Sequence, residues 1–354
     1  MTEHSPGPIS VIVPVLDEAD SIGPLLDALV SQLRPDDEIV VVDGGSTDAT
    51  ISIAGSKGDA VRVLSAPDTN ISQARNAGVR AARNDVIACT DAGCTPAPGW
   101  LSAIRTCFQA DPRPDLVTGI YEVTARNALE SAMGVACYPD PSDLGRSSMW
   151  TTWYGRLFGR TFDPRMPTGR SMAFAKEAWD AVGGFREDLE TSEDVSFGRA
   201  LAQLGRTTTL CPDARVTWDQ RPSLASTALM YFRYGRGGSR SGDPKVISRD
   251  MIRAAVYGAA GWVAVSGGPA ARLGMTAAGL VYLSLPVARA VGRPQGAKVA
   301  ALVPVALATK DLAKAAGLLI GLATSLRARS HSPEGDVVDQ EGATAVDRSF
   351  DPEH

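Results

Sequence analysis

The sequence predicts an α/β fold, a doubly wound and mostly parallel sheet followed by a C-terminal apolar helical segment. Three observations carry this expectation. Over the first 120 residues, short β-branched runs alternate with stretches of helical period, the pattern of strands joined by crossover helices. Beyond Ile252, 18 uncharged residues separate Arg253 from Arg272, and 16 separate Arg272 from Arg289. Charge is also partitioned: residues 1–250 carry −7, residues 251–330 carry +8 and residues 331–354 carry −6.

In chain order, Ser10–Val13 reads as a strand stopped by Pro14, followed by strands at Glu38–Val42, Val61–Leu64 and Val86–Thr90. Between them, Ile22, Leu25, Leu26, Leu29 and Leu33 fall on one helical face behind Asp20 or Ser21 as N-cap. A second helix is expected from Thr47 to about Ser56. A third spans Ser72–Ala82, with Ala74, Ala77, Gly78 and Ala81 as its small face. Residues 120–250 read as less regular, with helical pieces at Lys176–Val182, stopped by Gly183-Gly184, and at Asp194–Leu204, stopped by Gly205.

At ~1.5 Å per residue, 18 residues make about 27 Å of helix, close to the hydrocarbon thickness of a bilayer. Val299–Leu326 is a third apolar stretch, but it contains Lys310, Asp311 and Lys314; the last two lie one turn apart and can pair. A soluble Ala-rich helical appendage is the alternative to membrane association. Residues 328–354 read as a solvated acidic tail. Residues 1–8 lack a basic n-region and an apolar run, so no cleaved leader is expected. Five cysteines without metal spacing suggest free thiols in a reducing compartment. The acidic body disfavours nucleic acid.

In doubly wound sheets, ligands bind beyond the carboxyl ends of the strands. Those ends are acidic here: Asp17-Glu18 after the first strand, Asp43-Gly44-Gly45-Ser46-Thr47-Asp48 after the second, Asp91-Ala92-Gly93 after the fourth. Asp43 could accept hydrogen bonds from a nucleobase or ribose, with Ser46 or Thr47 capping the next helix; an ordinary Asp–Gly turn reads the same way. Asp91 suits a hard divalent cation, Mg²⁺ or Mn²⁺, that takes one or two carboxylates plus phosphate oxygens; a strand-end turn is the alternative. Glu193-Asp194 opens a helix, where acids complement the dipole or one of them acts as a general base.

Taken together and in order, these pieces resemble the family 2 glycosyltransferases with a GT-A fold, over roughly Ile9–Arg236. Ser10–Glu18 resembles that family's opening strand, and Asp43–Asp48 its nucleotide loop. Ala74-Arg75-Asn76-Ala77-Gly78 resembles the helix that follows, and Thr90-Asp91-Ala92-Gly93 its metal motif. Gly169-Arg170-Ser171-Met172, Val182-Gly183-Gly184-Phe185 and Glu193-Asp194 resemble the acceptor-side block. Trp218–Ser223 and Tyr231–Arg236 are similar to exopolysaccharide enzymes of the succinoglycan type, which carry apolar helices afterwards. Two departures stand out. The metal motif lacks a second Asp, leaving Asp91, phosphates, water and Asp219 as ligands, and Trp218 stands where some relatives have a metal-binding His.

The resemblance implies inverting transfer from a nucleotide-sugar donor to a hydroxyl acceptor, a lipid-linked saccharide (polyprenyl-linked, for example) or a polysaccharide precursor. Asp194 would be the base beside Glu193. Pro14, Val15, Glu18, Asp43, Gly45, Arg75, Asp91 and Ala92 would hold the donor, with a divalent cation on Asp91. Gly169, Arg170, Ser171, Gln220, Arg221 and Arg236 would serve the acceptor or the phosphates. The implied division is an N-terminal extension at 1–8, a donor half at 9–120, an acceptor half at 121–250, membrane-associated helices at 251–327 and a tail at 328–354. That places the protein at the cell membrane with its catalytic domain in the cytoplasm, or wholly in the cytoplasm if the helices are soluble. Two other readings compete: a sugar-phosphate nucleotidyltransferase, disfavoured by the acidic, Gly-free stretch after the first strand, and an inactive membrane-associated binding module, disfavoured by the retained carboxylates.

Overall fold

The computed structural model describes residues 7–330 apart from 146–147, 159–160 and 242. The acidic tail therefore lies outside the described residues, except for the end of the last helix. Strand β1 (Ile9–Val15) runs parallel between β2 (Glu38–Asp43) and β4 (Val86–Cys89), with Ile12 opposite both Val40 and Cys89. β3 (Val61–Ser65) pairs parallel with the outer edge of β2. β2 and β4 are buried throughout, which is why they read as near-continuous Val/Ile runs rather than alternating ones. Pro14 does not stop β1. It lies past Ile12, the last residue paired with β4, so its missing N–H interrupts no bond there.

Further along, the sheet departs from a doubly wound arrangement. Its order is β3-β2-β1-β4-β7-β6-β8-β5, with β5 at Cys94–Pro96, β6 at Leu116–Thr124, β7 at Met172–Ala175 and β8 at Thr208–Asp219. β7 is antiparallel to both β4 and β6, and β5 is antiparallel to β8. The result is a mixed sheet. The reversal has a geometric consequence: Cys89, the end of β4, pairs with Met172, the start of β7. Residues just after β4 and just before β7 therefore share one end of the sheet.

Helix α1 (Ala19–Val30) buries Ile22, Leu25, Leu26 and Leu29, as its period predicts. Neither Asp20 nor Ser21 caps it. Glu18 is its N-cap, and Ser21 instead donates to the Glu18 carboxylate at 2.5 Å. Helix α2 (Thr50–Gly55) starts three residues later than expected, because Ser46 and Thr47 bond elsewhere. Helix α3 (Ile71–Ala81) opens with a reciprocal Asn70–Gln73 capping box, worth about 0.5–2 kcal/mol. A Cβ on Gly78 would lie 2.5 Å from Ile12 Cγ2, so the small face lets α3 lie directly on β1. Helix α4 (Trp100–Phe108) covers the opposite part of the sheet, burying Trp100, Leu101 and Ile104.

Residues 120–250 are more regular than their sequence suggests. They contain α5 (Ala128–Cys137), α6 (Met149–Phe158), α7 (Lys176–Ala181), α8 (Glu193–Gln203) and α9 (Leu224–Arg240). Three long helices follow: α10 (Pro244–Ser266), α11 (Pro269–Val291) and α12 (Gly296–Ser330). α12 belongs to the core rather than to an appendage. Val299, Val303, Ala306 and Leu307 join the same apolar cluster as the sheet. Close crossing on α9 is set by glycines, since a Cβ on Gly317 would meet the Phe232 carbonyl at 2.0 Å. The charges in the middle of α12 are turned inward, with Lys310 and Asp311 buried. Lys314 pairs with Asp250 at 3.0 Å rather than with Asp311, which accepts from Tyr257 at 3.2 Å. Among the described residues one helix, Pro269–Val291, is long and apolar enough to cross a membrane. All five cysteines are free thiols, four of them buried.

Candidate active site

A cleft of about 670 Å³ opens at the carboxyl ends of β1 and β4, lined on one side by Pro14, Val15, Glu18, Asp91 and Ala92 and on the other by Arg170, Trp218 and Arg221. The nucleotide-loop candidates are braced by one another. The Ser46 N–H donates to Asp43 Oδ1 at 2.9 Å. Asp17, with φ of 54°, bridges the two strand ends: its N–H donates to Ser46 Oγ at 2.9 Å, and its carboxylate accepts the Thr47 N–H at 2.7 Å. These bonds occupy the two residues expected to cap α2, whose first turn is held by Asp48 instead. Gly45, at φ 105°, supplies the left-handed turn.

Arg75 is the centre of the site. It is 1% exposed, and its guanidinium touches Asp91 at 2.5 Å and also contacts the buried Glu193. A fully buried guanidinium needs a carboxylate partner, and here it has two. A Cβ on Gly169 would fall 2.0 Å from Arg75 Nη2, so only glycine fits above the guanidinium. The same glycine donates its N–H to Asp194 Oδ2 at 2.8 Å, while the Val195 N–H donates to Oδ1 at 2.7 Å. Ser192, immediately before the acidic pair, has φ 67°, a strained geometry for a non-glycine residue, of order 1–3 kcal/mol. It sends adjacent carboxylates to different surroundings: Glu193 inward to Arg75, Asp194 to a half-buried position.

That separation has a titration signature. Burial pushes the Glu193 carboxyl up from 4.5 to about 7; neighbouring Asp194 adds to the rise and Arg75 opposes it. The native state thus keeps a proton that the unfolded chain releases. This stabilising contribution is complete below about pH 4.5 and lost as pH rises through about 7. Glu193→Gln cannot titrate, so it should flatten the melting-temperature profile across that window. An unchanged slope would show that Arg75 keeps Glu193 ionised throughout.

Arg170 forms the opposite wall. Its guanidinium lies 4.0 Å from the Trp218 ring centroid and 5.0 Å from that of Tyr121, two ring contacts that help fix a cation. Where a metal-binding His was considered, the chain places an aromatic support for Arg170. Other candidates are engaged differently. Ser171 is buried, donating to the Ala214 carbonyl at 2.8 Å and accepting from Trp100 at 2.9 Å. Gln220 donates to the carbonyls of Thr124 and Glu130 at 3.2 and 2.5 Å. Arg236 pairs with Glu190 at 2.8 Å. Asp219 pairs with Arg126 at 3.1 Å, and its N–H donates to the Gly93 carbonyl at 3.4 Å, in the turn just after Asp91. Leu229, Met230, Arg233 and Tyr234 also line the cleft from α9; the last two lie in the Tyr231–Arg236 stretch but were not among the expected site residues, and the Ser223–Ser226 capping box that opens α9 was the available signal for the others.

Among the described residues no group of three or more His, Cys, Asp or Glu gathers to hold a metal. The donor set fits a Mg²⁺-type cation shared between Asp91, diphosphate oxygens and water, which is how Mg²⁺ is commonly held. It does not fit an all-protein cage.

A curled, mixed α/β sheet with a cleft at its strand ends resembles the GT-A-like glycosyltransferase fold. The solved mannosyltransferase PcManGT from Pyrobaculum calidifontis, in complex with GDP-Man and Mn²⁺, matches 90% of this chain and 88% of its own at a TM-score of 0.55 and 19% identity. The family described as Glycosyl transferase family 2 matches residues 10–134. Glycosyltransferase AglE of Haloferax volcanii is 35% identical over 235 residues, 65% of this chain and 72% of its own length. Succinoglycan biosynthesis protein ExoA of Rhizobium meliloti is 25% identical over 239 residues, 65% of this chain and 69% of its own length. Other relatives are longer, and the chain spans 19% to 52% of their length. The chain belongs to glycosyl transferase family 2; it is a glycosyltransferase, distantly related to the succinoglycan protein.

Proposed function

We propose that this enzyme transfers a sugar, with inversion, from a nucleotide-sugar donor to the hydroxyl of a lipid-linked saccharide or polysaccharide precursor, as succinoglycan-type enzymes would. One observation carries the reading: a single buried guanidinium, Arg75, links Asp91 in the cleft wall to Glu193, next to Asp194. The donor end and the base end are thereby fixed to one group. Asp43 and the loop around Gly45 hold the nucleoside. Arg170 and Arg221 face the diphosphate, with Arg170 held rigid by Trp218. Asp194, oriented by two backbone N–H groups, takes the acceptor hydroxyl proton as that oxygen attacks the anomeric carbon. A Mg²⁺ or Mn²⁺ ion on Asp91 would offset the charge of the leaving diphosphate.

The proposed division into a donor half at 9–120, an acceptor half at 121–250 and apolar helices at 251–327 keeps the cleft between the two halves. We place the protein at the cell membrane through α11, with the catalytic part in the cytoplasm, where nucleotide sugars are made. The test is a nucleotide-release screen over UDP-, GDP- and dTDP-sugars, with and without Mn²⁺. Asp91→Ala should abolish cation-dependent nucleotide-sugar binding while leaving the fold intact, because Arg75 keeps Glu193. Unchanged turnover in that variant, or full activity in excess chelator, would remove Asp91 and its ion from the mechanism.

A further inference from the structure

Helix α6 is apolar on two faces. The inner one is satisfied: Tyr154 is fully buried and donates to the Tyr282 carbonyl at 2.5 Å, and the Phe158 ring packs on the Tyr282 ring at 4.9 Å. The outer one is bare. Met149, Trp150, Trp153 and Leu157 are 91%, 43%, 46% and 53% exposed, and the two indoles stack on each other at 5.0 Å. Residues 149, 153 and 157 recur at every fourth position, so they form one stripe. Scattered exposed apolar residues are ordinary; a contiguous stripe with two tryptophans marks a contact surface.

The chemistry around the stripe selects the contact. In sequence, residues 144–162 contain Arg146, Arg156 and Arg160 and no acid, and the flanking Asp143 and Asp163 are paired with Arg289 and Arg165; the basic excess suits an anionic surface. Indoles pair an apolar body with one N–H and concentrate at the boundary between headgroups and acyl chains. Through its inner face α6 adjoins α11 at Tyr154, and it adjoins α10 through Arg253, which donates to the Phe158 carbonyl at 2.6 Å. Those helices expose Trp262, Val265, Leu273 and Leu280. On the other side, Phe162 packs on Tyr121 at 5.6 Å, and Tyr121 supports Arg170 in the cleft.

We infer that α6 is an interfacial membrane helix. Its tryptophan face lies in the headgroup–acyl boundary of an anionic bilayer and holds the Arg170 wall of the cleft at the lipid surface. This contact is additional to α11 and does not require α11 to span. The test uses the full chain in vesicles of phosphatidylcholine and phosphatidylglycerol. Trp262→Phe leaves Trp150 and Trp153 as the exposed indoles, since Trp100, Trp179 and Trp218 are buried. Lipids brominated near the headgroup should quench their emission more than lipids brominated deep in the chain, and the quenching should vanish when Trp150 and Trp153 are also replaced by Phe. Iodide reaching the indoles without any lipid quenching would overturn the inference. Exclusion of iodide without lipid quenching would overturn it too, in favour of a second copy or a protein partner. Leu280→Trp, made in the background lacking all three exposed indoles, reports on α11 separately. Deep quenching there with none at α6 would refute the α6 contact alone.

Discussion

Replacing Asp194 with asparagine should cut sugar transfer by about 10²–10⁴-fold, the usual worth of general-base catalysis. Nucleotide-sugar binding should be retained. Asparagine keeps one acceptor oxygen for the Gly169 and Val195 N–H groups and loses the other, at a cost of about 0.5–1.5 kcal/mol. Glu193→Gln should behave in the opposite way, because Glu193 is buried against Arg75 whereas Asp194 is half-buried. Its effect should fall on stability and its pH dependence, with a milder loss of rate. Single-turnover transfer and thermal melting on both variants decide the matter. Equal rate losses in the two, or undiminished transfer by Asp194→Asn, would mean that Asp194 is not the base.

The largest stability effect is expected at Arg75. Arg75→Met leaves Glu193 buried without its cation and Asp91 without its close partner. Removing one member of a buried pair typically costs about 3–5 kcal/mol. Arg75→Lys should recover only part of this, since an ammonium lacks the planar fork that serves two carboxylates at once. Denaturant unfolding in detergent measures both. A loss below about 1 kcal/mol for Arg75→Met, the worth of an exposed pair, would show that the bridge does not hold the site together.

The inner parallel strands β1, β2 and β4 were legible because they are buried on both faces, and α1 because its apolar residues repeat at helical period. The acidic strand ends were legible for a related reason, since polar residues directly after buried strands have few structural uses. What escaped was whatever depends on contacts distant in sequence. Nothing local announces that β7 runs backwards, yet that reversal brings Gly169 and Arg170 beside Asp91. Ser46 and Thr47 look like helix caps until Asp17, some thirty residues earlier, claims them. α5 is buried on most sides and shows little period, although Asn127 three residues before Glu130 was a readable cap. Apolar composition alone did not distinguish α12, which faces protein, from α11, which exposes its apolar side chains.

The glycine roof over Arg75 bears on how this enzyme could change. A hydrogen atom is the largest substituent that fits at residue 169, and the group beneath it answers to carboxylates at 91 and 193. A change at 169 alone therefore meets a clash, and a change at 75 alone leaves a buried carboxylate unpaired, so these are the positions least free to vary. New sugar preferences would have to be acquired elsewhere. The α9 side of the cleft, where Leu229 and Met230 meet the solvent edge, has no such partners and offers the freedom to diversify; a library directed there should yield altered donors or acceptors far more often than one directed at the floor.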